Sequence, residues 1–260
     1  MISKIFYRYQ MSNEDDHVDH QGIITRYKHI KLLNKSTFAH IYYAYDTLTE
    51  KEVVLKTFYP IDGNREIYEN ERNVLIFIKE REGVQKYVDS FSCDSKLIFP
   101  DMRDTNICYV IVSEYCKGKD VFDHHQSFDL QSYARKLLAD VEPVLNKLHS
   151  LGVRHRDIKP ENIMYDPEKN TFTLIDFGLS YIQESGKQPI ALFTSGYRPK
   201  KVTREHQYGF FDFYALAITL YEICHGKIFP FSKETGEYLG WKFTDCPEIK
   251  NYVENIFSHI

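Results

Sequence analysis

Between His155 and Gly178 the chain reads H-R-D-I-K-P-E-N, then an apolar and turn-rich run, then D-F-G. The run fits a β-hairpin. Ile163-Met164-Tyr165 is a short apolar strand, Asp166 to Asn170 is a polar turn containing Pro167, and Phe172 to Ile175 is a second strand. A hairpin returns its two ends to one place, so Asn162 and Asp176, which flank it, come close enough to share a metal ion. Asp157 and Lys159 stand just ahead of the first strand. A carboxylate to orient a hydroxyl, a nearby cation and oxygen ligands for magnesium are the groups that phosphoryl transfer needs.

The joint pattern H-R-D-x-K-x-x-N and D-F-G resembles the catalytic and magnesium-binding loops of eukaryotic-type protein kinases. The resemblance implies an α+β, bilobal protein-kinase-like fold. A five-stranded antiparallel sheet with one helix forms the N-lobe at about residues 23–113, a hinge follows at about 114–119, and a mainly helical C-lobe fills about 120–260. Residues 1–22 are polar, with an acidic knot at Glu14-Asp15-Asp16, and are expected to be an extension outside that domain. The resemblance further implies ATP and Mg2+ as cofactors, Asp157 and Lys159 as catalytic groups, and Asn162 and Asp176 as metal ligands. Lys-Pro-Glu after Asp157 resembles serine/threonine rather than tyrosine kinases, and so implies serine and threonine hydroxyls of protein substrates as acceptors.

Upstream, three strands are expected at Ile24 to Leu33, Phe38 to Tyr45 and Glu52 to Phe58. The turn between the first two reads L-N-K-S-T-F-A-H-I. Kinases place glycines there, at the positions of Asn34, Ser36 and Ala39, so that backbone N–H groups approach the ATP phosphates. None of the three is glycine here, which predicts weak nucleotide binding, with the Ser36 and Thr37 hydroxyls and Lys35 as substitutes. Val53-Val54-Leu55-Lys56 matches V-A-I-K and implies Lys56 as a phosphate ligand. A helix is expected over Asn64 to Glu80, where Glu71-Arg72-Asn73-Val74-Leu75 resembles E-x-x-[IV]-L and makes Glu71 the expected partner of Lys56, with Glu66, Glu69 and Glu80 as rivals. Strands at Tyr87 to Phe91 and Ile107 to Val112 complete the sheet, with a longer loop from Cys93 to Asn106. Ser113-Glu114-Tyr115-Cys116 resembles the hinge. By the same resemblance Ile41, Val54, Glu114, Cys116 and Met164 join the ATP site, Ser36 stands over the phosphates, and Asp120 holds the ribose.

A long amphipathic helix is expected from Asp129 to Ser150, with a kink or break at Pro143. A buried helix at Phe211 to Ile223 carries Asp212, which in the family bonds the catalytic-loop backbone, and a last helix is expected near Pro247 to Ser258. After D-F-G the chain resembles an activation segment ending T-S-G-Y-R-P-K-K-V, with Lys201 where A-P-E has its glutamate. Arg156 is expected to meet a phosphate on that segment, with Ser180, Ser185, Thr194 and Ser195 as candidate carriers. Arg198, Lys200, Lys201 and Arg204 crowd together, which points to an anionic activator or an acidic substrate that neutralises them. The resemblance covers about residues 24–232.

Two other readings stay open: a pseudokinase that binds or scaffolds, favoured by the lost glycines, Lys201 and a C-lobe expected to be trimmed after Ile223, where Phe229-Pro230-Phe231 and one last helix remain, and a small-molecule kinase, disfavoured by Arg156 and K-P-E-N. The net charge of −4 gives no overall basic bias toward nucleic acid or membrane. Five scattered cysteines with no C-x-x-C pair argue against a zinc site or a disulfide framework and for a reducing compartment. No apolar run reaches the roughly 18 residues of a membrane span, and the first residues do not form a secretory signal, so a cytoplasmic location is expected.

Overall fold

The structure, a computed structural model of the 260-residue chain, describes residues 20–99, 106–124, 129–183, 194–198, 209–225 and 246–258. Its chain divides into two units. The first takes Met1–Glu80 and Gln85–Tyr115, and the second takes Arg81–Val84 and Cys116–Ile260.

In the first unit a short helix α1 (His20–Arg26) leads into strand β1 (Tyr27–Lys35), followed by β2 (Ala39–Asp46), β3 (Lys51–Phe58), helix α2 (Asn64–Ile78), β4 (Tyr87–Asp94) and β5 (Ile107–Glu114). The five strands form one antiparallel sheet in the order β1-β2-β3-β5-β4. Alternating side chains send Val53 and Leu55 of β3, Val110 and Val112 of β5, and Phe91 and Cys93 of β4 into one core, which Ile23 and Tyr27 close. Cys93 and Cys108 face each other across β4 and β5 with their sulfurs 3.3 Å apart, both as free thiols. On α2, Tyr68 stacks on Tyr109 of β5 at 4.8 Å and meets the edge of Phe58 at 5.6 Å.

The expected first strand began too early. Ile24 to Arg26 belong to α1, where the Thr25 hydroxyl bonds back to Gly22 O at 3.1 Å. Tertiary contacts hold this turn: Ile23 is buried, and the Arg26 guanidinium forks onto both oxygens of Asp46 at 2.9–3.0 Å and onto Asp89 at 2.6 Å. The segment from Cys93 is also less loop-like than expected, because β4 runs on to Asp94 and a 3-10 turn follows at Ser95–Leu97.

The second unit carries β6 (Lys119–Asp120), α3 (Val121–His124), α4 (Leu130–Ser150), β7 (Val153–Arg154), a 3-10 turn (Pro160–Asn162), β8 (Ile163–Asp166), β9 (Thr171–Leu174), β10 (Tyr181–Ile182), α5 (Gly209–Cys224) and α6 (Pro247–Phe257). Asp129 caps α4 by accepting from Gln131 N at 3.1 Å, and Leu137, Val141, Leu145 and Leu148 form its buried stripe. The break expected at Pro143 does not occur. The helix runs through it, because one missing N–H is offset by a buried face on both sides of the proline. Helices α5 and α6 pack against α4. The hairpin β8–β9 forms in the register Ile163↔Leu174, and β6 joins it at Asp120↔Met164. Arg81–Val84 is tied to the same hairpin: Leu174 N donates to Gly83 O at 2.9 Å, and Val84 bridges to Leu174. Gly83 has φ +72, and a Cβ there would sit 2.4 Å from Val144 Cγ2. Phe229, Pro230 and Phe231 lie outside the described residues. Among the described residues no helix is long and apolar enough to cross a membrane.

Candidate active site

The catalytic loop is built outward from a buried carboxylate. Asp212, on the first turn of α5 and fully buried, accepts from His155 N at 2.8 Å, Arg156 N at 2.7 Å and His149 Nε2 at 2.8 Å. Burial alone would push this carboxyl up. The His149 hydrogen bond, the nearness of the His149 and His155 rings and the Arg156 amide outweigh it and hold the group below the usual carboxylate range. The anchored backbone turns through Arg156 at φ 69, and Asp176 likewise sits at φ 62. Such left-handed non-glycine residues cost about 1–3 kcal/mol each, so packing must hold them. The His155 ring supplies part of that hold. Its Nδ1 accepts from Asp157 N at 3.3 Å, its Nε2 donates to Ile175 O at 3.1 Å, and its face lies 4.7 Å from the buried Phe177 ring.

On this frame the Asp157 carboxylate is surrounded by donors. Lys159 Nζ lies 2.9 Å from Oδ2, Asn162 Nδ2 donates to the same oxygen at 2.8 Å, and the Thr194 hydroxyl donates to Oδ1 at 2.6 Å. Lys159 Nζ also reaches Thr194 Oγ1 at 3.1 Å. Asn162 O accepts from Ile175 N at 3.0 Å, so the hairpin does return Asn162 to the neighbour of Asp176. Asp176 Oδ1 accepts from Gly178 N at 3.3 Å. An amide oxygen and a carboxylate here suit magnesium, which takes hard oxygen ligands and needs only one or two from the protein. No cluster of three His, Cys, Asp or Glu side chains is present among the described residues to make a dedicated metal cage.

In the first unit Lys56 Nζ bonds both Glu71 oxygens, at 2.9 and 2.7 Å, with the carboxylate side chain 1% exposed. Glu71 is therefore the partner that the E-x-x-[IV]-L spacing pointed to. Ile41 pairs with Lys56 across β2 and β3, and Val54 is half-buried two positions earlier on β3, beside Ser113 of β5. Ser113 is buried and its hydroxyl accepts from Gln85 Nε2 at 2.7 Å. Glu114 donates its N–H to Lys86 O at 2.9 Å, and its carboxylate pairs with Lys51. In the second unit Cys116 is half-buried, and Asp120 caps α3 by accepting from Asp123 N at 2.8 Å while pairing with Met164.

The β1–β2 turn departs from expectation. Ser36 Oγ does not point outward as a substitute phosphate donor. It accepts from Phe38 N at 3.3 Å and Ala39 N at 3.1 Å, and donates to Ala39 O at 3.1 Å. Ser36 N also bonds Ala39 O at 2.8 Å. The turn thus uses internally the N–H groups that a glycine loop offers to phosphate.

Two of the four expected phosphate carriers are already engaged, while Ser195 is exposed. Ser180 is buried and donates to His155 O at 3.1 Å, and the Thr194 hydroxyl is engaged by Asp157 and Lys159. Arg156 Nη1 donates to Leu179 O at 3.0 Å. Ser185, Lys200, Lys201 and Arg204 lie outside the described residues. Two contacts escaped sequence reasoning altogether. Tyr197 donates its hydroxyl to the buried Glu222 of α5, and Arg198 stacks 4.9 Å from the centre of the Phe211 ring. Both join residues more than ten positions apart, and no local pattern announces them.

Comparison with known proteins agrees with this geometry. Residues 27–257 match the protein kinase domain family, a span that continues past the expected limit near residue 232. CBL-interacting protein kinase 2 of Oryza sativa subsp. japonica is 30% identical over 191 residues, which are 70% of this chain and 39% of that protein. CBL-interacting serine/threonine-protein kinase 20 of Arabidopsis thaliana is 29% identical over 191 residues, 72% of this chain and 41% of that protein. Serine/threonine-protein kinase F of Synechocystis sp. is 28% identical over 223 residues, 78% of this chain and 44% of that protein. The chain spans about two fifths of the length of these curated relatives. With the family match over most of its length and the anchored H-R-D and D-F-G loops in place, the chain belongs to the protein kinase domain family.

Proposed function

We propose that the chain is a catalytically competent serine/threonine protein kinase, which moves the γ-phosphate of ATP to serine and threonine hydroxyls of protein substrates. The observation that carries this reading is the Thr194–Asp157 hydrogen bond at 2.6 Å. Asp157 is held so that one carboxylate oxygen accepts an alcohol proton, which is the task of orienting an acceptor hydroxyl. Lys159 beside it offsets charge on the moving phosphate, and its presence favours serine and threonine over tyrosine acceptors. Asn162 and Asp176 are the residues that would hold Mg2+, while Lys56, oriented by Glu71, would hold the nucleotide phosphates. Bound Mg2+–ATP supplies the transferable phosphoryl group and the neutralising charge. Ile41, Val54, Glu114, Cys116, Asp120 and Met164 are proposed to line the nucleoside side of the site.

The pseudokinase reading draws on one observation, the self-bonded Ser36 turn. The test is transfer from γ-labelled ATP, with and without Mg2+, to serine, threonine and tyrosine peptides, using wild type and Asp157→Asn. Label on serine or threonine that needs both Mg2+ and Asp157 supports the kinase. No label above the Asp157→Asn background at saturating ATP supports the pseudokinase. Activation by an anion at Arg198, Lys200, Lys201 and Arg204 is part of the proposal, tested by adding inositol hexakisphosphate to the same assay.

A further inference from the structure

In the first unit two thiols face each other across a pair of strands. Cys93 of β4 is paired with Cys108 of β5, and their sulfurs lie 3.3 Å apart. The sequence puts no other cysteine in that unit. Both side chains are fully buried, in the core that also holds Phe91, Phe99 and Val110. The two residues are 15 positions apart in the chain, so the strand ladder is what brings them together. Just beyond them Ser95 N donates to Asn106 O at 2.7 Å, and Asn106 N donates to Ser95 Oγ at 3.1 Å. These two bonds keep the backbones on either side of the thiols in register.

The register suits a covalent link. Residues directly opposite each other in antiparallel strands have Cα atoms about 4.5 or about 5.5 Å apart. A disulfide takes Cα separations of about 4.4–6.8 Å and sulfurs about 2 Å apart. Either kind of pair fits, so a small movement of two side chains closes the bond and leaves the strands where they are. The closed core protects the reduced state, because the thiolate is the nucleophile and the thiol is not. The hydrogen bond to Cys93 and burial both push the Cys108 thiol up. The strand that covers the pair is the one best placed to open. β4 ends the sheet order β1-β2-β3-β5-β4 and pairs with β5 alone, and local opening costs least at such an edge. A small oxidant reaches the sulfurs when β4 lifts, and the ladder re-forms over the product.

We propose that Cys93 and Cys108 form a redox modification site, at which a peroxide closes a cross-strand disulfide that staples β4 to β5 and that small thiols reopen. One sulfur attacks an oxygen of hydrogen peroxide and the O–O bond breaks, which leaves a sulfenic acid and, with the thiol proton, one water. The second sulfur attacks the sulfenic sulfur, the S–S bond forms, and the hydroxyl leaves with the second thiol proton as another water. The two sulfurs lose two electrons and the peroxide gains them. The inference does not depend on the kinase reading above.

The test treats the intact, folded chain with hydrogen peroxide, alkylates the remaining thiols and maps the peptides by mass spectrometry. The expected product is two hydrogen atoms lighter and carries one linked peptide pair, Cys93 to Cys108, which dithiothreitol separates. Closing a loop of this length should raise Tm by about 5 °C or more over the reduced chain, and Cys108→Ala should show neither the link nor the rise. Oxidant taken up at Cys116, Cys224 or Cys246 while Cys93 and Cys108 stay alkylated reduces the pair to packing and overturns the proposal. So does a sulfinic or sulfonic acid at either residue in place of the link. A link that forms only in urea, or one that lowers Tm, means that the folded sheet does not accommodate the bond, and overturns it equally.

Discussion

Ser36 and Ala39 close the β1–β2 turn on themselves: the serine hydroxyl accepts the Ala39 N–H and donates to the Ala39 carbonyl, both at 3.1 Å. An ATP phosphate arriving at this turn competes with a bond already made. Wild-type affinity is expected in the high-micromolar range. Ser36→Gly removes the competing oxygen and frees the Phe38 and Ala39 amides, and should tighten ATP by about threefold to tenfold. Calorimetric titration checks it. An unchanged affinity would mean that the turn amides do not face phosphate even when released.

Asp157 and Asp176 should fail in different ways. Asp157→Ala removes the group that orients the acceptor, lowering kcat about 100-fold or more with ATP affinity nearly intact. Asp176→Ala should instead abolish magnesium-dependent nucleotide binding. Wild-type turnover in Asp157→Ala would sink the role given to that residue.

The Thr194 hydroxyl bridges Asp157 and Lys159, so its loss should be felt in kcat rather than in ATP binding. Thr194→Ser keeps the bridge and should retain activity. Thr194→Val should lose about tenfold. Equal kcat for the two variants would show that the bridge is dispensable.

Removing Lys56 leaves the Glu71 carboxylate, 1% exposed, without its cation. Lys56→Met should destabilise the chain by about 3–5 kcal/mol, and Lys56→Met/Glu71→Leu should recover most of that while remaining inactive. Urea midpoints of the two variants decide it.

Asp212 sets an acid limit on stability. Its folded-state carboxyl lies below the ordinary value of 3.8, so the charged form is favoured by folding. The resulting stability is fully present above the unfolded value of about 4 and is lost as pH falls through the depressed folded one. Asp212→Asn replaces an accepting oxygen with a donor, which should cost about 2–3 kcal/mol at pH 7 and flatten the fall in urea midpoint below pH 4. A variant as acid-sensitive as wild type would move the limit to another carboxylate.

The sequence was most legible where contacts are local or periodic. The strands β2 and β3, the helix α4 and the β8–β9 hairpin follow from apolar spacing, and Lys56–Glu71 follows from a helix phase. It was least legible where tertiary partners decide. Ile24 to Arg26 look like strand, yet Arg26 reaches residues 20 and 63 positions away and the turn stays helical. Pro143 looks like a break, yet packing carries the helix through. Thr194 looks like an exposed phosphate carrier, but a carboxylate 37 residues earlier occupies its hydroxyl. Ser36 was read by what it lacks, a glycine's freedom, when what matters is the pair of amides that it takes up.

The placement of Arg81–Val84 in the second unit also bears on how this chain is made. Because these residues interrupt the first unit, neither unit is one contiguous stretch, and no single cut yields either alone. A fragment ending at Tyr115 would strand Val84, 2% exposed in the whole chain, without Leu174. On the ribosome the same gap is a delay. About 90 residues separate Val84 from Leu174, on the order of ten seconds of synthesis, and through that interval the newborn first unit carries Val84, whose seat has not yet been translated.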